Sequence, residues 1–325
     1  MTTLKIGVLG AGHLGKVHLK CIGLTENTFD LVGFFDPDAH NAEKVSEQFG
    51  IKAFSSVESL IEAVDIVDIV SPTSVHYELA AKAIKKGKHV FVEKPLTHTL
   101  DEARELIRLS EKHNVKVQVG HVERFNPALL ALEGMSLAPM FVEGHRLAVF
   151  NPRGTDVSVI LDLMIHDLDI LLSMVDSPVK DVWANGVAVV SNTPDIANAR
   201  IVFENGCVAN LTASRISLKQ MRKLRFFQKD AYVSLDFLEK KAQVVRLYDE
   251  GSLDKSIAEN MMSLDTATGK KYIGIDMPDI EESNAIKMEL ETFAESIRNN
   301  TPPRVGIKDG YRALELAHRI IEEVG

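Results

Sequence analysis

The chain is poor in cysteine, in aromatic side chains and in positive charge. Among 325 residues there are two cysteines, Cys21 and Cys207, and one tryptophan. Two thiols so far apart make no disulfide framework, which excludes a stapled secreted scaffold and points to a reducing compartment. Lysine and arginine total 37 against 46 acidic residues, for a formal net charge of −9. A general nucleic-acid binder would carry a basic footprint instead. A small anionic ligand needs only a local group of donors and stays open. No apolar run is long enough to span a bilayer. The N-terminal residues enter a strand pattern at Leu4, with no basic leader, apolar core and cleavage site before it. The expectation is a cytoplasmic protein without a membrane or nucleic-acid partner.

What is present is ordinary globular material, 45% hydrophobic and 26% charged. The length suits roughly two domains. The first 120 residues alternate strand and helix. Short β-branched runs at 4–9, 31–35, 66–70, 89–92 and 115–119, with a weaker one at 52–54, read as strands covered on both faces. Helical periods lie between them, clearly at 74–86 and at 100–113, where Thr99 or Asp101 is the candidate cap. Repeated βα units of this length predict an α/β fold with a parallel, doubly wound sheet. After about residue 122 the pattern changes. A helix is expected over 157–175, followed by period-two strands at 179–190, 196–204, 207–214, 224–228, 232–237 and 244–248. Asn205-Gly206 between two such runs signals a hairpin, so this half reads as α+β with an open, mainly antiparallel sheet. Helices near 282–298 and 308–323 close the chain, and the polar stretch 249–270 reads as a mobile loop. The boundaries drawn are 1–121 and 122–325.

The first strand runs into Gly10-Ala11-Gly12-His13-Leu14-Gly15 and then a helix. In that context GxGxxG is a dinucleotide loop. Gly10 allows a tight turn, Gly12 lets a pyrophosphate approach, and Gly15 lets the helix pack on the sheet. The phosphates would meet the amides of His13 and Leu14 and the positive end of the helix dipole. Asp36 ends the second strand, where a carboxylate accepts hydrogen bonds from ribose hydroxyls and repels a 2′-phosphate, which favours NAD over NADP. Asp36-Pro37-Asp38 is also a good turn sequence. Ser71-Pro72-Thr73 leaves the third strand at the same edge of the sheet, so Ser71 and Thr73 are cofactor candidates, while Ser74 is expected to cap the next helix. His76 reads equally as a ligand contact or a packing residue.

Two features suggest chemistry. The run His89-Val90-Phe91-Val92-Glu93-Lys94-Pro95 places an ammonium at the carboxyl end of a parallel strand, where such sheets bind ligands. In the apolar helix, Asp162, His166 and Asp169 are spaced i, i+4, i+7 and make a narrow polar stripe. A buried polar stripe needs partners or a ligand, and histidine suits proton transfer near neutrality. A satisfied core network is the plain alternative. A divalent metal on these groups lacks a cysteine cluster or HExxH pattern, so no metal is expected.

These motifs resemble the glucose-fructose oxidoreductase / inositol dehydrogenase (Gfo/Idh/MocA) family. The resemblance spans nearly the whole chain. It rests on the glycine loop with His18, on Pro72-Thr73-Ser74-Val75-His76, on Gly87-Lys88 through Lys94-Pro95, on Val119-Gly120-His121-Val122-Glu123-Arg124-Phe125-Asn126-Pro127, and on Asp162 through Asp169. It implies an N-terminal Rossmann domain, then a substrate domain whose open sheet forms a homodimer or homotetramer. It also implies a cis peptide at Lys94-Pro95, catalytic roles for Lys94, Asp162 and His166, and Glu93 at the nicotinamide ribose. Several relatives carry glycine where Met164 stands. Within the family, Asp195 to Arg200 and Asn210 to Arg215 look most like the branch that oxidises UDP-N-acetylglucosamine at C3. A diphosphate needs cations, and Arg124, Arg146, Arg153, Arg215 and Arg222 are candidates, with Asn126 beside the first. The expected function is NAD-dependent oxidation of a sugar ring hydroxyl. An inositol or free-sugar dehydrogenase and a non-catalytic NAD-binding regulator are the alternatives.

Overall fold

The computed structural model describes residues 3–25, 27–151, 157–253, 260–267 and 269–325. The chain divides into two compact units, Met1–Phe125 with Asn284–Glu315, and Asn126–Ser283 with Leu316–Gly325.

In the first unit β1 (Leu4–Leu9) leads to α1 (His13–Gly23), and β2 (Phe29–Phe35) to α2 (Ala39–Phe49) and α3 (Val57–Ala63). Then come β3 (Ile66–Ile69), α4 (His76–Lys85), β4 (His89–Glu93), α5 (Leu100–His113) and β5 (Val117–Gly120). The sheet order is β2-β1-β3-β4-β5, and every pairing is parallel. The order reverses between β1 and β3, which makes their carboxyl ends the switch point where such sheets take ligands. β3 is buried at every position, because helices cover both faces. The weak signal at 52–54 contributes one parallel bridge, Phe34 to Ala53, and no strand. Thr99 is the cap of α5, in a reciprocal capping box with Glu102. Ser74 does not cap α4. It lies within a 3-10 turn, Thr73–Val75, that leads into an uncapped helix.

The second unit begins with α6 (Pro127–Leu130) and β6 (Phe141–Leu147). A π-turn (Ile160–Met164) leads into α7 (Ile165–Met174). The strands β7 (Val179–Val187), β8 (Ile196–Phe203), β9 (Val208–Ser214), β10 (Met221–Phe227), β11 (Ala231–Asp236), β12 (Lys241–Asp249), β13 (Met262–Thr266) and β14 (Gly269–Asp276) follow. Among the described residues they form one sheet in the order β13-β14-β12-β11-β10-β6-β9-β8-β7, antiparallel except for β6 with β9. Leu168, Leu171 and Leu172 of α7 share a core with Ile201, Leu211, Leu224 and Phe226 of the sheet. The β8–β9 hairpin turns through Glu204, Asn205 and Gly206. Only Gly206 takes positive φ there (+86°), and Asn205 instead accepts a hydrogen bond from the Cys207 N–H (3.0 Å).

Two expectations change. The stretch 249–270 is not simply a loop: its described part supplies β13 and the start of β14, an exposed edge ribbon whose alternation is masked by polar residues on both faces. The closing helices, α8 (Ala285–Arg298) and α9 (Ile307–Val324), do not simply extend the second unit. Leu290, Phe293 and Ala294 of α8 pack with Ile6, Val8 and Phe91 of the parallel sheet. Residues 284–315 therefore belong to the first unit, and the rest of α9 to the second. An amphipathic period says that a helix has an apolar face but not which sheet will cover it. Cys21 and Cys207 are both buried and free, one in each unit. No helix among the described residues is long and apolar enough to cross a membrane.

Candidate active site

The glycine loop has the shape that a dinucleotide needs. Gly10 sits at φ +99°, and a Cβ on it would lie 2.7 Å from the Val70 carbonyl oxygen. A Cβ on Gly15 would lie 2.0 Å from the Gly10 carbonyl oxygen, whereas one on Gly12 meets nothing within 4 Å. Two glycines thus serve close packing, and the third leaves open space before α1. No side chain caps α1, and its first-turn amides have no intrahelical acceptor. This is an anion cradle, and the residues present fit a pyrophosphate. Both His13 and Leu14 are exposed beside it.

Asp36 lies next to this loop and is tied to it. Its Oδ2 accepts from the Ala11 N–H (2.8 Å) and from Asn41 Nδ2 (3.1 Å), and its Oδ1 accepts from the Asp38 N–H (3.0 Å). Asn41 Nδ2 also donates to the Ala11 carbonyl (3.1 Å). Asn41 was not visible as a site residue in the sequence, because a helix-surface asparagine carries no pattern of its own. The Ser71 hydroxyl donates to the Leu9 carbonyl (3.1 Å) and joins β3 to β1. Thr73 is half-buried in the following 3-10 turn.

His76 is a structural tie rather than an exposed contact. It is buried, with Nδ1 2.9 Å from the Pro95 carbonyl oxygen and Nε2 2.8 Å from that of Ser71. Burial lowers its pKa, against smaller upward effects of those hydrogen bonds and of Glu93. A neutral ring carries one N–H and donates to one of these carbonyls at a time. His76 thereby links the Ser71 loop to the cis Lys94–Pro95 peptide. Lys94 is half-buried immediately after β4.

Beneath β4 lies a buried acid–imidazole–acid row. His18 of α1 has Nδ1 2.9 Å from Asp68 Oδ2 and Nε2 3.3 Å from Glu93 Oε1. The Glu93 carboxylate lies so close to Gly120 of β5 that a Cβ there would come within 2.6 Å of Oε1. Asp68 was the available clue in the sequence, a charge in the middle of the buried run Ile66-Val67-Asp68-Ile69.

In the second unit the polar stripe begins on the π-turn. Asp162 lies within it, and His166 follows in the first turn of α7; both are half-buried, while Asp169 is buried. The wider π-turn means that these residues do not keep one strict α-helical register. The sequence reading missed Asp167, which is buried and paired with Arg146 of β6 at 2.8 Å. Arg146 is therefore an internal partner and not a free cation for a diphosphate. Arg215 is likewise buried, with Nη2 donating to the Val157 carbonyl and Nε 3.9 Å from Asp195 Oδ1. Asn126 is engaged by backbone: its Nδ2 donates to the Phe237 carbonyl (3.0 Å) and its Oδ1 caps α6 through the Ala128 N–H (3.0 Å). Arg222 is exposed on β10. In the first unit Arg124 lies 3.9 Å from Asp309. Arg153 lies outside the described residues. Among the described residues no group of three or more His, Cys, Asp and Glu is placed to hold a metal ion.

Comparison with known proteins matches residues 4–121 to an oxidoreductase family with an NAD-binding Rossmann fold, and residues 143–231 to the GFO/IDH/MocA C-terminal domain. The chain is 35% identical over 321 residues to the UDP-N-acetylglucosamine 3-dehydrogenase of Acidithiobacillus ferrooxidans, across 98% of this chain and 97% of that protein. The chain belongs to the GFO/IDH/MocA oxidoreductase family. A solved structure of the same Acidithiobacillus enzyme matches with a TM-score of 0.88 at 34% identity, covering 100% of this chain and 98% of that one. The scyllo-inositol 2-dehydrogenase (NAD(+)) of Bacillus subtilis is 29% identical across 96% of this chain and 92% of that protein. As a family member the chain is an oxidoreductase, and the parallel sheet of its first unit is an NAD-binding Rossmann fold.

Proposed function

We propose that this enzyme oxidises the C3 hydroxyl of a UDP-N-acetyl-hexosamine with NAD as acceptor. The observation that carries the reading is full-length similarity, at 35% identity, to a UDP-N-acetylglucosamine 3-dehydrogenase. Bound NAD would supply the hydride acceptor, and the protein supplies placement and charge. In this reading His166 takes the hydroxyl proton as general base. Lys94 donates to the same oxygen and stabilises the negative charge that grows on it. Asp162 orients the imidazole or a neighbouring hydroxyl. Glu93 accepts hydrogen bonds from the nicotinamide-side ribose, and Ser71 and Thr73 line the cofactor at the adjoining strand end. Asp36 is the basis for preferring NAD, since a second negative charge beside its carboxylate is disfavoured. Arg124 and Arg153 are the cations proposed for the diphosphate. Exposed Trp183, Val187, Ile275 and Met277 support a homo-oligomer formed through the second unit's sheet.

The similarity to scyllo-inositol 2-dehydrogenase favours one competing reading, a polyol dehydrogenase that needs no nucleotide handle. Steady-state NADH formation with UDP-N-acetylglucosamine, free N-acetylglucosamine and the inositols separates the two. The proposal expects kcat/KM for the UDP-sugar to exceed that for the free sugar by orders of magnitude, with NAD preferred to NADP. Equal or better turnover of inositol overturns it.

A further inference from the structure

His18 is fully buried on α1 and stands between two carboxylates, Asp68 from β3 and Glu93 from β4. A neutral imidazole has one N–H, so it can serve one carboxylate and must turn a lone pair toward the other. An imidazolium donates to Asp68 and turns its second N–H, with its positive charge, toward Glu93 at 3.3 Å, an ion-pair contact outside hydrogen-bond geometry. Removing two acids and one imidazole from water is costly unless charge is compensated within the row, and the doubly protonated ring provides that compensation. Burial works to lower the His18 pKa, but the attraction of Asp68 and Glu93 and the hydrogen bond to Asp68 prevail and raise it well above the ordinary value. Burial likewise pushes Asp68 up, and His18 pulls it back. The ring of Phe91 from β4 packs edge-on at 5.7 Å and carries no charge. His76 of α4 feels the charge of Glu93 at the end of the row.

The far end of this row sets its purpose. Glu93 is the last residue of β4 and precedes Lys94, and its carboxylate is wedged against the bare Cα of Gly120 on one side and His18 on the other. Such a carboxylate is held in one orientation. We propose that His18 is a positioning residue for the dinucleotide: as an imidazolium it fixes Glu93 as an acceptor for the cofactor's ribose, so that cofactor affinity depends on a proton buried under the sheet. This rests on the reading of Glu93 given above. The charged form of His18 persists at neutral pH and is lost as pH rises through its raised value. Affinity should therefore fall on the alkaline side.

The test is NADH binding, without sugar substrate, followed by nicotinamide fluorescence from about pH 6 to pH 10, a range that brackets a raised histidine. The full chain is used, and thermal unfolding is checked at each pH. Wild type should bind NADH more weakly as pH rises. His18→Gln should bind about tenfold more weakly at neutral pH, the scale of one lost close charge pair, and should show no alkaline loss. Asp68→Asn removes the stronger of the two attractions on the imidazolium and should move the alkaline loss about one pH unit lower. A merely structural role would not move that limb. Should His18→Gln fail to fold, Asp68→Asn decides alone. An alkaline limb at the same pH in wild type and Asp68→Asn, or one that persists in His18→Gln, overturns the proposal. Absence of NADH binding by wild type at every pH overturns the dinucleotide reading and this inference with it.

Discussion

Arg146 holds Asp167 in a bidentate grip: Nε donates to Oδ1 and Oδ2 at 3.1 and 3.0 Å, and Nη2 donates to Oδ1 at 2.8 Å. Both side chains are almost fully buried. The pair anchors the start of α7 to β6, and Asp167 directly follows His166. Arg146→Ala would leave Asp167 charged and without this partner, at a cost of about 3–5 kcal/mol. Urea unfolding followed by Trp183, the single tryptophan, which lies in the second unit, checks this. Replacing the pair together, as Arg146→Met with Asp167→Leu, should restore most of the loss.

Asp195 provides an acid-sensitive lock. Burial acts to raise its pKa, but the Ser191 hydroxyl and the N–H groups of Val190, Val189 and Ser191 hold it well below the usual carboxylate range. Its folded value lies below its unfolded value of about 3.9. The stability it adds is therefore present above that value and disappears as pH falls through the folded one. Asp195→Asn should lower the melting temperature by a constant amount near neutrality, and the gap to wild type should close below about pH 4. A gap unchanged in acid would refute the assignment.

The glycine loop makes a contrast within one motif. Gly15→Ala drives a Cβ into the Gly10 carbonyl and should destabilise the first unit. Gly12→Ala meets open space, so its melting temperature should match wild type while NADH binding falls at least about tenfold, because that space is where a pyrophosphate would approach. Titration of both variants, with thermal melts, tests the distinction.

Lys94→Ala and His166→Ala should each reduce kcat by about 10²- to 10⁴-fold, the range for a lost positioned acid or base. NADH binding should survive in the His166 variant. Near-normal turnover in either variant would remove it from the mechanism.

Much of the first unit is legible in the sequence because its strands are short, apolar on both faces and separated by amphipathic helices. β1 and α5 fall at the boundaries that the periodicity predicts. β6 is hidden for a definite reason. Its inward positions are Val142, Gly144 and Arg146, so a glycine and an arginine occupy places where a strand pattern looks for apolar residues. A Cβ at Gly144 would press on the Leu224 and Leu211 side chains, which would have to shift. The candidate arginines were legible as charges but not as partners: sequence cannot tell that Arg146 meets Asp167 or that Arg215 turns to the Val157 carbonyl. Asn126, read as a substrate residue, and His76, read either way, show the same difficulty, since a polar side chain that ties backbone together looks like one that waits for a ligand. The row of His18, Asp68 and Glu93 joins residues 50 and 25 positions apart, a juxtaposition that only the βα winding creates.

The two sulfhydryls have a practical use. Cys21 is enclosed in the first unit and Cys207 in the second, where burial pushes the latter's thiol up to about 11. Only about one in ten thousand Cys207 groups is then a nucleophile at neutral pH. Native protein should therefore ignore maleimide, and the cysteine that becomes labelled first on gentle warming names the half that opened, a built-in fluorophore-free readout of local breathing.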